Sequence, residues 1–135
     1  MAGRRLDDTL STSPQVAPEE LEIVAAAGFR SIISNRPDGE DPGQPTAAEM
    51  QAAAERYGLA FRHIPVAGGN IGPVDVSAMA EALDTLPAPI FGFCRSGTRT
   101  AMLWALARAP HSDPHTLINA AREAGYDLSG LRSRL

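Results

Sequence analysis

The chain has 135 residues, a net charge of −4 and no lysine, so all twelve strongly basic residues are arginines. That size suits one domain with a single core. The acidic balance argues against nucleic acid or an anionic membrane as partner, and the missing lysines remove Schiff-base and lysine-base chemistry. One cysteine excludes an internal disulfide or a Cys-x-x-Cys redox pair.

Residues 1–8 are polar and are expected to be a frayed start, with a short strand near Thr9–Ser11. Pro18, Glu19 and Glu20 make an acidic first helical turn; Leu21, Val24 and Ala25 continue its apolar stripe, and Gly28 offers a left-handed stop. The β-branched, apolar FRSIIS (29–34) predicts a buried strand. NRPDGEDPGQP (35–45), dense in turn formers and acids, predicts a surface loop.

Thr46 and Glu49 have the spacing of a capping box, so a helix should run to about Tyr57 and stop at Gly58. LAFRHIPV (59–66) reads as a strand, followed by the loop AGGNIGP (67–73) and a helix from about Val74 to Leu86. PIFGF (89–93) predicts another strand. A helix carrying Met102, Leu103, Leu106 and Ala107 should begin near Arg99. Asp113 and Pro114 are an N-cap and first-turn proline for a helix to about Ala124, with Gly125 closing it, and YDLSGLRSRL adds a short helical piece.

Short apolar strands alternating with amphipathic helices predict a single α/β domain over 1–135: a mostly parallel central sheet with helices on both faces. Sites in such sheets lie at the carboxyl ends of the strands, where loops 35–45, 67–73 and 94–99 converge. His63, His111 and His115 are scattered, with Pro114 between the last two, so no metal cluster is expected. No secretory h-region or membrane-length apolar run is visible, which makes the cytoplasm the expected location.

The most informative stretch is FCRSGTRT (93–100). A tight loop between strand and helix turns backbone N–H groups inward to cradle an anion, and the helix adds its positive end. In such a loop Gly97 can take a left-handed conformation, Arg95, Ser96 and Thr98 supply donors, and Arg99 can clamp an oxyanion through two N–H groups. The same field favours the Cys94 thiolate, to which Thr98 and Thr100 can donate. A lone cysteine is more often a buried apolar residue, and Gly97 or Arg99 alone is a turn or a surface charge; the complete set is far more specific.

The loop resembles those of Cys-based tyrosine and dual-specificity phosphatases and of rhodanese sulfurtransferases. SPQ, NRPDGE, QP, HIPV and CRSGTR, in that order, resemble the phosphatase-like domain of the beta-lactamase hydrolase-like proteins from about Thr9 onward. The resemblance implies a dual-specificity-phosphatase-like α/β fold and a phosphatase or sulfur transferase. It also implies association with sulfide-oxidation enzymes, since the domain occurs fused to persulfide-dioxygenase-like or quinone-oxidoreductase-like modules.

Three departures from the phosphatase pattern favour sulfur. Four residues separate Cys94 from Arg99 where phosphatases have five, so Thr100 stands where their arginine belongs; Phe93 replaces the histidine before the cysteine; and loop 67–73 has no carboxylate to protonate a leaving oxygen, Asp75 falling in the next helix. The leading expectation is therefore a Cys94 persulfide formed from a low-molecular-weight persulfide or thiosulfate and passed to an external thiol, with no cofactor. Alternatives are a phosphomonoesterase acting through phosphocysteine, with Asp38, Glu40 or Asp41 as acid, and a non-catalytic anion-binding docking domain. Arg36 either binds an anionic group of the donor or pairs with Asp38 or Glu40, and Arg95 faces solvent.

Overall fold

A computed structural model describes residues 3–135. Its five-stranded sheet comprises β1 (Arg4–Arg5), β2 (Leu10–Ser13), β3 (Ser31–Ser34), β4 (Ala60–His63) and β5 (Ile90–Phe93), in the spatial order β1-β2-β5-β3-β4. Only β1 runs antiparallel to its neighbour; β2, β5, β3 and β4 are mutually parallel. The helices are α1 (Leu21–Ala26), α2 (Ala47–Arg56), α3 (Pro73–Thr85), α4 (Thr98–Arg108) and α5 (Pro114–Glu123), with 3-10 turns at Pro18–Glu20, Ala109–His111 and Ser129–Arg134.

Side chains alternate across the strands and divide the core in two. Ile33 and Ile90 face Met79, Leu83, Leu103, Trp104 and Leu117, whereas Ile32, Phe91 and Phe93 face Leu21, Val24, Met50 and Ala54. Gly92 lies on the α4 side, where a Cβ would stand 2.8 Å from the Thr100 methyl and 3.1 Å from Leu10. The glycine thus lets α4 settle closely against β5. Thr46 and Glu49 form the expected capping box on α2.

The amino terminus departs from expectation. Residues 3–8 are not frayed, while Met1 and Ala2 lie outside the described residues. Leu6 is buried, and Asp7 accepts the N–H groups of Thr9 and Leu10 and the Trp104 indole N–H (2.8, 2.9 and 2.8 Å). The strand predicted at Thr9–Ser11 runs over Leu10–Ser13, and all four of its residues are buried although three are polar. Loop 35–45 also differs at its start: Asn35 and Arg36 are buried rather than on the surface. Among the described residues, no helix is long and apolar enough to cross a membrane.

Register places the site. Ser13, Phe93, Ser34 and His63 lie side by side at the carboxyl ends of β2, β5, β3 and β4. The segments that follow each strand therefore emerge at the same edge, with Cys94 next after Phe93 in the centre.

Candidate active site

Cys94 is fully buried where β5 ends, and the loop behind it is fastened through its carbonyls. The Phe93 carbonyl accepts from Asn35 N–H (2.8 Å) and that of Arg95 from Gln15 N–H (3.2 Å). The Ser96 carbonyl accepts from the Tyr126 hydroxyl (3.2 Å) and that of Gly97 from Thr12 Oγ1 (2.9 Å). On the far side of the peptide whose Ser96 oxygen is held in this way, Gly97 N–H donates to Cys94 Sγ at 3.0 Å. Gly97 has φ +97° and directly precedes α4, so the sulfur also faces the positive end of an eleven-residue helix. Cys94, Gly97 and the helix start thus stand together, with α4 beginning at Thr98, one residue before the expected Arg99.

Arg99 reaches across the loop to the acidic segment. Its NH1 donates to Glu40 Oε2 (2.6 Å) and to the Val66 carbonyl (2.8 Å), and its NH2 to Glu40 Oε1 (2.9 Å). Those bonds use three of the five guanidinium N–H groups and leave the Nε–H and one NH2 hydrogen for an oxyanion. The hydrogen bonds to Glu40, and beyond them the neighbouring Cys94, raise the Arg99 pKa further above its ordinary value.

Glu40 also accepts from Arg36 Nε at 3.0 Å, so its carboxylate lies between two guanidinium groups. Hydrogen bonding from Arg99, opposed by burial and reinforced by Arg36, lowers its pKa from 4.5 to about 2. Glu40 is therefore an anion at neutral pH and has no proton to give a leaving group. Arg36 takes the ion-pair role: it is 5% exposed, bonded to Glu40, to Asp41 (2.6 Å) and to the Gln15 side-chain oxygen (3.1 Å). Those bonds use three of its five guanidinium N–H groups on neighbours within the protein.

Three expected roles need correction. Thr100 does not line the anion loop; it is fully buried and its hydroxyl donates to Asn35 Oδ1 at 2.8 Å, because α4 turns that residue toward β5. Thr98 Oγ1 accepts from Ser96 Oγ (3.1 Å) at the exposed face of the loop, so neither threonine is bonded to Sγ. Asp38 is not beside Arg36 or Cys94 in its bonding: it accepts Ala47 N–H (2.8 Å) and closes the first turn of α2. Arg95 is 68% exposed, as expected, and stands 3.4 Å from Asp41. Asp75 accepts Gly72 N–H (2.9 Å) as a cap of α3, and it is the Val66 carbonyl, just before loop 67–73, that meets Arg99.

Asn35, which the sequence does not single out, is part of the site. Its N–H holds Phe93, its side-chain amide donates to the Ile64 carbonyl (3.0 Å), its Oδ1 takes the Thr100 hydroxyl, and its carbonyl accepts Val66 N–H (3.1 Å). One side chain and its backbone thus join the ends of β3, β4 and β5 to α4. Within a stretch of turn formers, nothing in the sequence distinguishes it from an ordinary loop asparagine.

Comparison with known proteins identifies the family and the fold. The family described as "Beta-lactamase hydrolase-like protein, phosphatase-like domain" matches residues 3–111. The chain belongs to that family. A beta-lactamase hydrolase-like protein of Xylella fastidiosa strain Temecula1 is 42% identical over 102 residues, which are 76% of this chain and 24% of that relative. The chain therefore spans about a quarter of the length of the curated relative it matches. The crystal structure of a candidate phosphatase from Neisseria meningitidis Z2491 superimposes with a TM-score of 0.88 at 34% identity, covering 99% of this chain and 96% of that one. The core catalytic domain of the PP-IP phosphatase SIW14 from S. cerevisiae matches with a TM-score of 0.66 at 17% identity, over 98% and 83% of the two chains, which is a likeness of fold. The fold is phosphatase-like.

Proposed function

We propose that this domain is a cysteine-dependent phosphatase-type enzyme acting on small phosphomonoesters whose leaving groups depart without a proton from the protein. The observation that carries the reading is the Gly97 N–H on Cys94 Sγ, inside a loop whose Phe93, Arg95, Ser96 and Gly97 carbonyls are each held by a donor from elsewhere in the chain. Family membership and the candidate phosphatase of N. meningitidis support phosphorus as the reacting centre. Cys94 Sγ attacks phosphorus, the bond to the leaving oxygen breaks with its electron pair, and the loop amides with the Arg99 Nε and NH2 hydrogens hold the phosphoryl oxygens. Water then attacks phosphorus, releasing phosphate and the thiolate. Among the described residues the carboxyls nearest the loop are already engaged: Glu40 and Asp41 are paired with arginines, and Asp38 and Asp75 cap helices. Aryl phosphates should therefore react far faster than alkyl phosphates.

Two observations favour a second reading, sulfur transfer. The loop has one residue fewer between Cys94 and Arg99 than the phosphatase pattern, and sulfite or a thiolate leaves without acid assistance. In that reaction Cys94 attacks the outer sulfur of a persulfide or thiosulfate, the S–S bond breaks toward the departing group, and a thiol acceptor removes the sulfur from Cys94. Partnership with sulfide-oxidising enzymes belongs to this reading.

Turnover of 4-nitrophenyl phosphate beside thiosulfate, in wild type and Cys94→Ser, separates the two. Phosphate release that Cys94→Ser abolishes, with no thiocyanate formed from thiosulfate and cyanide, is the expected result. Thiocyanate formation without phosphate release would replace the first reading by the second. Activity on neither leaves an anion-binding docking domain.

A further inference from the structure

We propose that Tyr126 is a positioning residue for the Cys94 loop: its hydroxyl holds the Ser96 carbonyl so that the Gly97 N–H on the same peptide points at Sγ. The inference rests on the reading of Cys94 as the nucleophile, and it concerns a residue beyond the 3–111 matched by the family.

The argument begins at the end of α5. Gly125 has φ +97°, its N–H donates to the Arg122 carbonyl (2.9 Å), and Tyr126 N–H donates to the Ala121 carbonyl (2.8 Å). This pair of bonds is the Schellman closure, which fixes the backbone of both residues. Arg4 NH1 adds a bond to the Ala124 carbonyl (2.9 Å), tying the same turn to β1. Tyr126 is thus presented by a rigid cap, and its side chain is buried among the residues behind the active loop.

There the phenol meets one peptide unit. Its hydroxyl donates to Ser96 O at 3.2 Å, and a Cβ on Gly97 would lie 2.2 Å from that hydroxyl oxygen. A trans peptide is planar, with its C=O and N–H pointing in opposite directions. Drawing the Ser96 oxygen outward therefore aims the Gly97 hydrogen inward, where it is bonded to Cys94 Sγ at 3.0 Å. Thr12 Oγ1 grips the next carbonyl, Gly97 O, at 2.9 Å. Two hydroxyls from distant parts of the chain thus hold consecutive peptides of the loop.

The test is Tyr126→Phe, which removes the hydroxyl and keeps the ring, with Thr12→Val as a second variant. Two readouts are needed: amide hydrogen exchange of Gly97 by NMR, and steady-state turnover of 4-nitrophenyl phosphate and thiosulfate. We expect Gly97 exchange to rise at least tenfold in Tyr126→Phe while the β5 amides keep wild-type rates. On whichever substrate wild type turns over, kcat should fall several-fold with KM within twofold. Thr12→Val should behave alike, and the double variant should lose less than the two single losses combined, because both hydroxyls hold one turn. Unchanged Gly97 exchange in Tyr126→Phe would overturn the proposal, as would wild-type kcat. If wild type turns over neither substrate, the functional reading fails, and the exchange rates still decide whether Tyr126 holds the loop.

Discussion

Two loops meet at this edge of the sheet, and they are held by different forces. The Cys94 loop is fastened by neutral donors on its carbonyls, from Asn35, Gln15, Tyr126 and Thr12. The acidic loop is fastened by charge: Glu40 and Asp41 are paired with Arg36, Arg99 and Arg95. The difference separates a neutral half of the site from a charged one. The cradle around the sulfur keeps its shape wherever the backbone does, whereas the Arg99 guanidinium is placed in part by a carboxylate that acid can discharge.

Breaking the first half should have the largest effect. Gly97→Ala places a side chain at φ +97° and against the Tyr126 hydroxyl. We expect turnover to fall to the Cys94→Ser background and thermal unfolding to show a loss of about 1–3 kcal/mol from the backbone conformation alone, with more from the overlap. Wild-type turnover in this variant would mean that the loop geometry does not govern the chemistry.

Asn35→Ala tests the point where the two loops join. It leaves the Thr100 hydroxyl and the Ile64 carbonyl without their buried partner, at a cost of about 1–3 kcal/mol for each orphaned group. Urea unfolding should report a large loss of stability; a loss no greater than at an exposed loop asparagine would contradict the role given to this residue.

The smallest effect sharpens the contrast. The Glu40 carboxyl titrates at about 2 when folded against 4.5 ordinarily, so its pairing stabilises the fold in full above pH 4.5 and is lost as pH falls toward 2. Glu40→Gln lacks that contribution. The stability gap between wild type and Glu40→Gln should therefore be widest near neutrality and close on acidification, read from urea midpoints across that range. A gap independent of pH would remove the charge-based account of the acidic loop.

The sequence carried the signals that depend on neighbours in the chain. The Thr46–Glu49 box, the buried β3 and β5, the α/β alternation and the Cys–Gly–Arg loop are local patterns, and each appears in the fold. What stayed hidden depends on tertiary contact. Strand β2 reads as polar through Ser11, Thr12 and Ser13, yet the fold buries all three, and Thr12 spends its hydroxyl on the Cys94 loop. Thr100 looks like a site residue one position from Arg99, yet the helix turns it to the core. Glu40 was one of three acids in a turn-rich stretch, and only the fold shows that it, and not Asp38, reaches Arg99. Tyr126 lies thirty residues from Ser96, and no spacing rule connects them.

The central claim is that Cys94 is a nucleophile, and quenched intact-mass measurement tests it most directly. The chain has a single cysteine, so a covalent adduct on sulfur has one address. Mixed with 4-nitrophenyl phosphate and quenched in acid during turnover, wild type should carry a phosphoryl group that maps to Cys94 and is absent from Cys94→Ser. A sulfur gained from glutathione persulfide in place of the phosphoryl group would keep the nucleophile and change the substrate. An unmodified Cys94 under both conditions, with turnover surviving in Cys94→Ser, would contradict the claim.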